Sequence, residues 1–233
     1  MTTPERDEMT DLPWPAPVEP RAEVSRAICQ ACTRDLTPRR GWSVRTRLLL
    51  SLVVTAVAIL MLGGATHPHH GSDGALSVTL LGAVGWGLVL IAVLVIALAV
   101  PPGKRTSHRL RWLIAALVPL LFLGYLALVS SSQLPLHEFL QAHVGGAVGC
   151  GAHSLLSGGL AAAGIFLLWR GTDPFTPGLT GALAGLVGGV AGAVAVGLVC
   201  PSGEAWHLWV GHGLVVALLA SLGWLVGQRW FSP

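Results

Sequence analysis

Apolar residues along this chain gather into six long runs, approximately Leu48 to Gly64, Leu76 to Val100, Leu110 to Val129, Val148 to Trp169, Gly178 to Val199 and Trp206 to Gly227. No interior carries Lys, Arg, Asp or Glu, and Arg111 stands at the edge of the third run. A helix needs roughly 20 such residues to cross a hydrocarbon layer about 30 Å thick, where lipid offers no partner to a backbone N–H or C=O. Polar residues and turn formers fill the breaks: THPHHGSDG, PPGKRTSHR, SSSQLPLHEFLQAH, RGTDPFTP and CPSGEA. The pattern predicts an all-α polytopic membrane protein, with a bundle of six transmembrane helices and short loops over residues 48–230. A tail of residues 1–47 precedes it. Pro119, inside the third run, is expected to kink that helix rather than end it. The first 41 residues are polar and proline-containing, so the first spanning helix is expected to act as its own insertion signal.

Composition agrees: 53% of residues are hydrophobic and 11% charged, far from the balance of a soluble domain. The net charge of +3 reports topology more than partners. All 14 Lys and Arg residues lie in the tail, the second loop, the fourth loop or the C-terminus, and the other three loops hold none. By the positive-inside rule both termini are expected on the cytoplasmic side of the membrane, with loops 65–75, 130–147 and 200–205 facing outward. Trp42, Trp112, Trp169 and Trp230 then fall at the inner interface, and Trp206 and Trp209 at the outer one. Histidines show the opposite bias, with His67, His69, His70, His137, His143, His153, His207 and His212 outside and His108 inside. Metal or proton sensing is one reading; tolerance of neutral imidazoles at an interface closed to cations is the other.

Within the tail, Val24, Ala27, Ile28, Ala31 and Cys32 follow the spacing of one face of a short amphipathic helix that stops before Pro38. That stripe, Val24, Ala27, Ile28 and Ala31 with Leu36 beyond it, is the candidate partner-binding surface. Cys29 and Cys32 form a C-x-x-C that could bind zinc or cycle between redox states, or simply sit on the partner-facing stripe. In the fifth run Gly181, Gly185 and Gly189 recur every fourth residue, with Gly188 and Gly192 on a neighbouring stripe, as tightly packed membrane helices require.

Cys150 opens the fourth run from outside and Cys200 closes the fifth. An antiparallel pair joined by RGTDPFTP would bring these ends within disulfide reach. Three readings stay open: a stabilising staple, a redox- or thiol-reactive switch, and two unpaired thiols. His153, three residues after Cys150, and His207, just after Cys200, add a weak candidate for a metal site made by Cys150, His153, Cys200 and His207.

Three stretches carry a resemblance to a known family: the tail helix followed by DLTPRR (35–40), CGAHSLLSGG from Cys150, and GALAGLVGGVAGAVAVGLVCPSGEAWHLWVGHG. Over nearly its whole length the chain resembles the NrsF-type six-helix inner-membrane anti-sigma factors, negative regulators of extracytoplasmic-function sigma factors. The resemblance implies that tail and cytoplasmic loops hold a sigma factor at the membrane, with lipid around the bundle and no direct contact to nucleic acid. It further implies that Cys150 and Cys200 sense stress such as oxidants or heavy metals, and that the chain is no enzyme and needs no cofactor. The Cys29–Cys32 pair and the histidine-rich HPHHGSD depart from the pattern, and Ser25 stands where zinc-binding anti-sigma domains carry a histidine. The alternative is a small membrane transporter or channel, which would normally place ionisable groups at mid-membrane. A membrane oxidoreductase ranks third, with His153 and His212 as its candidate ligands.

Overall fold

The computed structural model describes residues 22–35, 42–63, 73–98, 107–130, 135–142, 144–170, 172–173, 175–200 and 202–230. The chain divides into two compact units, residues 1–41 and 42–233. In the first, α1 spans Ala22–Asp35 and opens on Glu23, an acidic residue that suits a helix N-terminus. Val24, Ala27 and Ile28 are exposed on it. Leu36 and the side chains of Ala31 and Cys32 lie outside the described residues.

The second unit runs through α2 (Val44–Gly63), α3 (Asp73–Val93) with a π-helical end at Leu94–Leu98, α4 (His108–Val129), α5 (Leu136–Ala142), α6 (Val144–Trp169) and α7 (Pro177–Gly197). It closes with α8 (Ala205–Leu208), a π-helical turn at Trp209–Gly213, and α9 (Leu214–Trp230). Six of these stretches are long and apolar enough to cross a membrane. Some begin earlier than hydrophobicity alone indicates. α2 starts at Val44 because Ser43 Oγ accepts the Thr46 N–H at 3.1 Å, which takes Arg45 and Arg47 into the first turn. α6 starts at Val144, and α5 occupies part of the long loop before it. α4 continues through Pro119 as one helix.

Burial is concentrated on α7, nearly every residue of which is enclosed, while most of α2 and α4 faces outward. Glycine explains how one helix can be wrapped so closely. Mid-helix Gly is unfavourable by about 1 kcal/mol against Ala in water, so five of them need a packing reason. Gly181, Gly185 and Gly189 meet the backbone of α9, and Gly188 and Gly192 that of α6. A methyl group on Gly185 would run into the Leu219 carbonyl, and one on Gly192 into the Ser154 carbonyl. The two stripes are therefore the contact faces of two different neighbours.

Polar ties join α6 to α2. Ser157 Oγ donates to the Ala58 carbonyl at 2.8 Å, and Trp169 Nε1 donates to Ser51 Oγ at 3.0 Å. Trp169, expected in an interfacial belt, is instead buried at 3% exposure, because its ring fills the α2–α6 contact and its N–H has a partner there. Trp86 of α3 meets Phe122 and Tyr125 of α4 edge to face, with Trp86 and Phe122 centroids 4.8 Å apart.

Candidate functional site

The C-terminal end of α7 collects the reactive side chains. The helix finishes with Cys200 N–H bonded to the Val196 carbonyl at 2.8 Å, which places the Cys200 thiol, half-buried, at the rim. The chain then turns back and re-enters at Ala205. At Trp209–Gly213 it widens into a π turn, closed by the Leu214 N–H on the Trp209 carbonyl. Five residues along a regular helix leave two side chains about 140° apart. A turn closed by i to i+5 bonds brings such positions back into line, and the His207 and His212 rings lie with centroids 6.0 Å apart. Gly211 lets this turn reach α6: a methyl there would lie 3.1 Å from the Ala147 carbonyl and 3.4 Å from Cys150 Cβ.

Four side chains meet as a result. Cys150 Sγ donates to Cys200 Sγ across 3.7 Å, and Cys200 Sγ lies 3.1 Å from His207 Nε2. One ligand atom from each of Cys150, Cys200, His207 and His212 falls within 4.8 Å of the others. Both histidines are buried. The hydrogen bond from Cys150 lowers the pKa of the Cys200 thiol; burial opposes this, and His207 adds to the lowering. His212 Nδ1 lies 3.2 Å from the Ala193 carbonyl of α7. A carbonyl accepts, so Nδ1 carries the proton, and Nε2 is left buried with a free lone pair and no hydrogen-bond partner among the described residues.

The fourth member of this group is His212, and the expected His153 stands apart. Ala147, Ser154, Ser157, Gly158, Ala161 and Ile165 mark the buried stripe of α6, and His153 falls off it, exposed, with Nδ1 2.9 Å from the Gly149 carbonyl. His137 is also exposed, on α5, and His67, His69, His70 and His143 lie outside the described residues.

The opposite end of α7 carries a second polar centre, which the sequence reading did not anticipate. Arg111 Nη1 of α4 donates to Asp173 Oδ2 at 2.8 Å and to Thr176 Oγ1 at 2.6 Å, and its Nη2 donates to Thr180 Oγ1. Asp173 also accepts from the Thr176 and Thr180 hydroxyls at 2.8 and 2.6 Å and from the backbone N–H groups of Phe175 and Thr176. The Arg111 and Asp173 side chains are only 11% and 14% exposed. Burial alone would raise the Asp173 pKa; the bonds from Thr180, Arg111 and Thr176 outweigh it and hold the carboxyl well below the usual carboxylate range. The signal was present in the sequence as one Asp and one edge Arg bordering otherwise apolar runs.

The model of the family described as negative regulator of sigma F, NrsF, matches residues 33–232. The chain belongs to the NrsF family. Neither the comparison with curated proteins nor that with solved structures gave a match. A member of the NrsF family is a negative regulator of a sigma factor, and the bundle described above gives this one six helices suited to a membrane. The NrsF match takes in both polar centres of α7 but begins near the end of α1, so Val24, Ala27, Ile28 and Ala31 precede it and Leu36 falls within it.

Proposed function

We propose that this NrsF protein is an integral inner-membrane anti-sigma factor that holds an extracytoplasmic-function sigma factor through its cytoplasmic tail and loops. It releases that partner when a stress signal reaches Cys150 and Cys200. The family match over residues 33–232 carries the reading. Two features support the finer parts. The one-sided Lys and Arg distribution supports a cytoplasmic side for the tail, residues 104–111 and Arg170 and the far side for the thiol pair. The tail helix offers Val24 and Ile28 at 49% and 55% exposure, an apolar face of the kind that docks in a partner's groove.

A signal at the sulfurs has a route inward. Cys200 ends α7, Cys150 lies on α6, and His207 is in α8, so joining the sulfurs or capturing them with a soft metal alters the spacing of three helix ends at once. The gly-faced contacts of α7 let a shift slide along the bundle. A coupling of about 1–3 kcal/mol between the two faces would suffice for a switch. The transporter alternative fits less well, since α7 itself, packed backbone to backbone, occupies the middle of the bundle.

The test is recovery of the partner. Tagged at its C-terminus and isolated from its own cells in mild detergent, the full chain is expected to bring down a sigma factor identifiable by mass spectrometry. Recovery of none sinks the sequestration mechanism. Val24→Asp with Ile28→Asp should insert normally and lose the partner; unchanged recovery would reduce the tail to a tether. Reporter fusions after Glu138 and Gly203 should behave as periplasmic, and those after Lys104 and Asp173 as cytoplasmic. Cytoplasmic behaviour at Gly203 would put the thiols on the wrong side for an external signal.

A further inference from the structure

We propose that Cys150, Cys200, His207 and His212 form a tetrahedral Cys2His2 site for a zinc-like divalent cation. The spacing of the ligand atoms suits such an ion. Tetrahedral zinc with bonds of about 2.3 Å to sulfur keeps two thiolates about 3.8 Å apart. Cys150 Sγ and Cys200 Sγ are 3.7 Å apart, and the four ligand atoms lie within 4.8 Å of one another. Closing the longer edges onto an ion draws the ends of α6, α7 and α8 together.

His212 is held in the state a ligand needs. Its Nδ1–H is committed to the Ala193 carbonyl, which leaves Nε2, buried and with no hydrogen-bond partner among the described residues, as the nitrogen free to ligate. A buried acceptor left unmade costs about 1–3 kcal/mol, so such groups need an explanation. An imidazole whose far nitrogen is held by a carbonyl is also how metal-binding histidines are oriented and their tautomer fixed. Two sulfurs and two imidazoles in a tetrahedron suit zinc, whereas magnesium and calcium take oxygen ligands. The ion also neutralises two thiolates that would otherwise repel each other at a half-buried position. The π turn is what supplies His212, since a regular helix would point it elsewhere.

The site uses the same sulfurs as the sensing role, but its occupancy is read on the purified chain with no sigma factor present, so either reading can fail without the other. The experiment uses the full chain in detergent with Cys29→Ser and Cys32→Ser, which removes the tail thiols as competing ligands. Cobalt(II) alone is added to this reduced, metal-stripped protein. One equivalent should give the visible bands of tetrahedral cobalt and a thiolate charge-transfer band, both abolished by one equivalent of zinc. His207→Gln and His212→Gln should each weaken binding by more than the about 10–100-fold that loss of an outer partner costs, and His153→Gln should leave it unchanged. X-ray absorption on the zinc-loaded parent counts the ligands with no further substitution and is expected to show two sulfurs and two nitrogens. No tetrahedral cobalt spectrum, a shell lacking either sulfur or nitrogen, or equal binding by a His207→Gln/His212→Gln variant of native elution profile overturns the proposal.

Discussion

The two ends of α7 carry polar centres of opposite character. At the N-terminal end an arginine and an aspartate neutralise each other, and two threonine hydroxyls complete the shell. Every group there is spent on its neighbours except Arg111 Nε, so the centre has little left to offer a ligand. At the C-terminal end two thiols and two imidazoles meet, and His212 Nε2 is left buried without a hydrogen-bond partner among the described residues. The first arrangement fixes α4 and the α6–α7 turn against α7. The second is open to chemistry that the fold alone does not need. In a membrane bundle, then, a buried polar cluster is read by its chemistry: an ion pair whose charges and hydroxyl neighbours satisfy one another indicates architecture, and a group of ligating atoms with no such pairing indicates a site.

If that contrast holds, the arginine end is where stability fails first. Arg111→Met leaves the Asp173 carboxylate buried without its partner and is expected to destabilise the bundle by about 3–5 kcal/mol, measured by thermal unfolding in detergent. A loss below 1 kcal/mol would show that the network is not structural. Its pH dependence has a definite sign. The folded Asp173 pKa is depressed, so the stabilisation is present above the unfolded value of about 3.9 and is lost as pH falls toward the folded one. The parent should therefore lose more stability than Asp173→Asn between about pH 5 and pH 3.

Next in size are the contacts that join the two ends. Gly192→Ala forces a methyl against the Ser154 carbonyl and should cost about 1–3 kcal/mol, whereas Gly87→Ala, with open space around it, should be neutral or stabilising by up to about 1 kcal/mol. Equal effects at the two glycines would mean that α7 is not packed backbone to backbone. The smallest stability change is expected at the cysteine end: Cys150→Ser and Cys200→Ser should each shift unfolding by no more than about 1 kcal/mol while abolishing the response to a stress signal. A large loss of stability with the response kept would exchange the roles of the two ends.

The spans were legible because a hydrocarbon layer imposes a length and bars charge, so six runs became six membrane-length helices. The glycine stripes were legible for a similar reason, since a small residue every fourth position has one use in such a helix. What escaped depends on departures from regular geometry or on tertiary partners. His212 was absent from the expected metal set, and what brings it to His207 is a departure from α-helical geometry, the π turn at Trp209–Gly213. Two glycines flanking the histidine in WVGHG were the hint. His153 looked close to Cys150 because three residues share a face, yet the buried stripe of α6 excludes it. Trp169 was placed by type at an interface, and a hydroxyl on α2 drew it inside. The Arg111–Asp173 pair joins residues 62 apart in sequence, beyond what local pattern reveals.

Control of the partner is expected to lie at the cysteine end. The deciding measurement is the fraction of sigma factor recovered with the membrane-embedded chain before and after cells are exposed to peroxide or cadmium, for the parent, Cys150→Ser and Cys200→Ser. The expected result is that the parent loses its partner on exposure while both variants, inserted to the same level, recover the same amount with and without it. Release from the variants equal to that from the parent would contradict the account and move the sensor elsewhere in the chain.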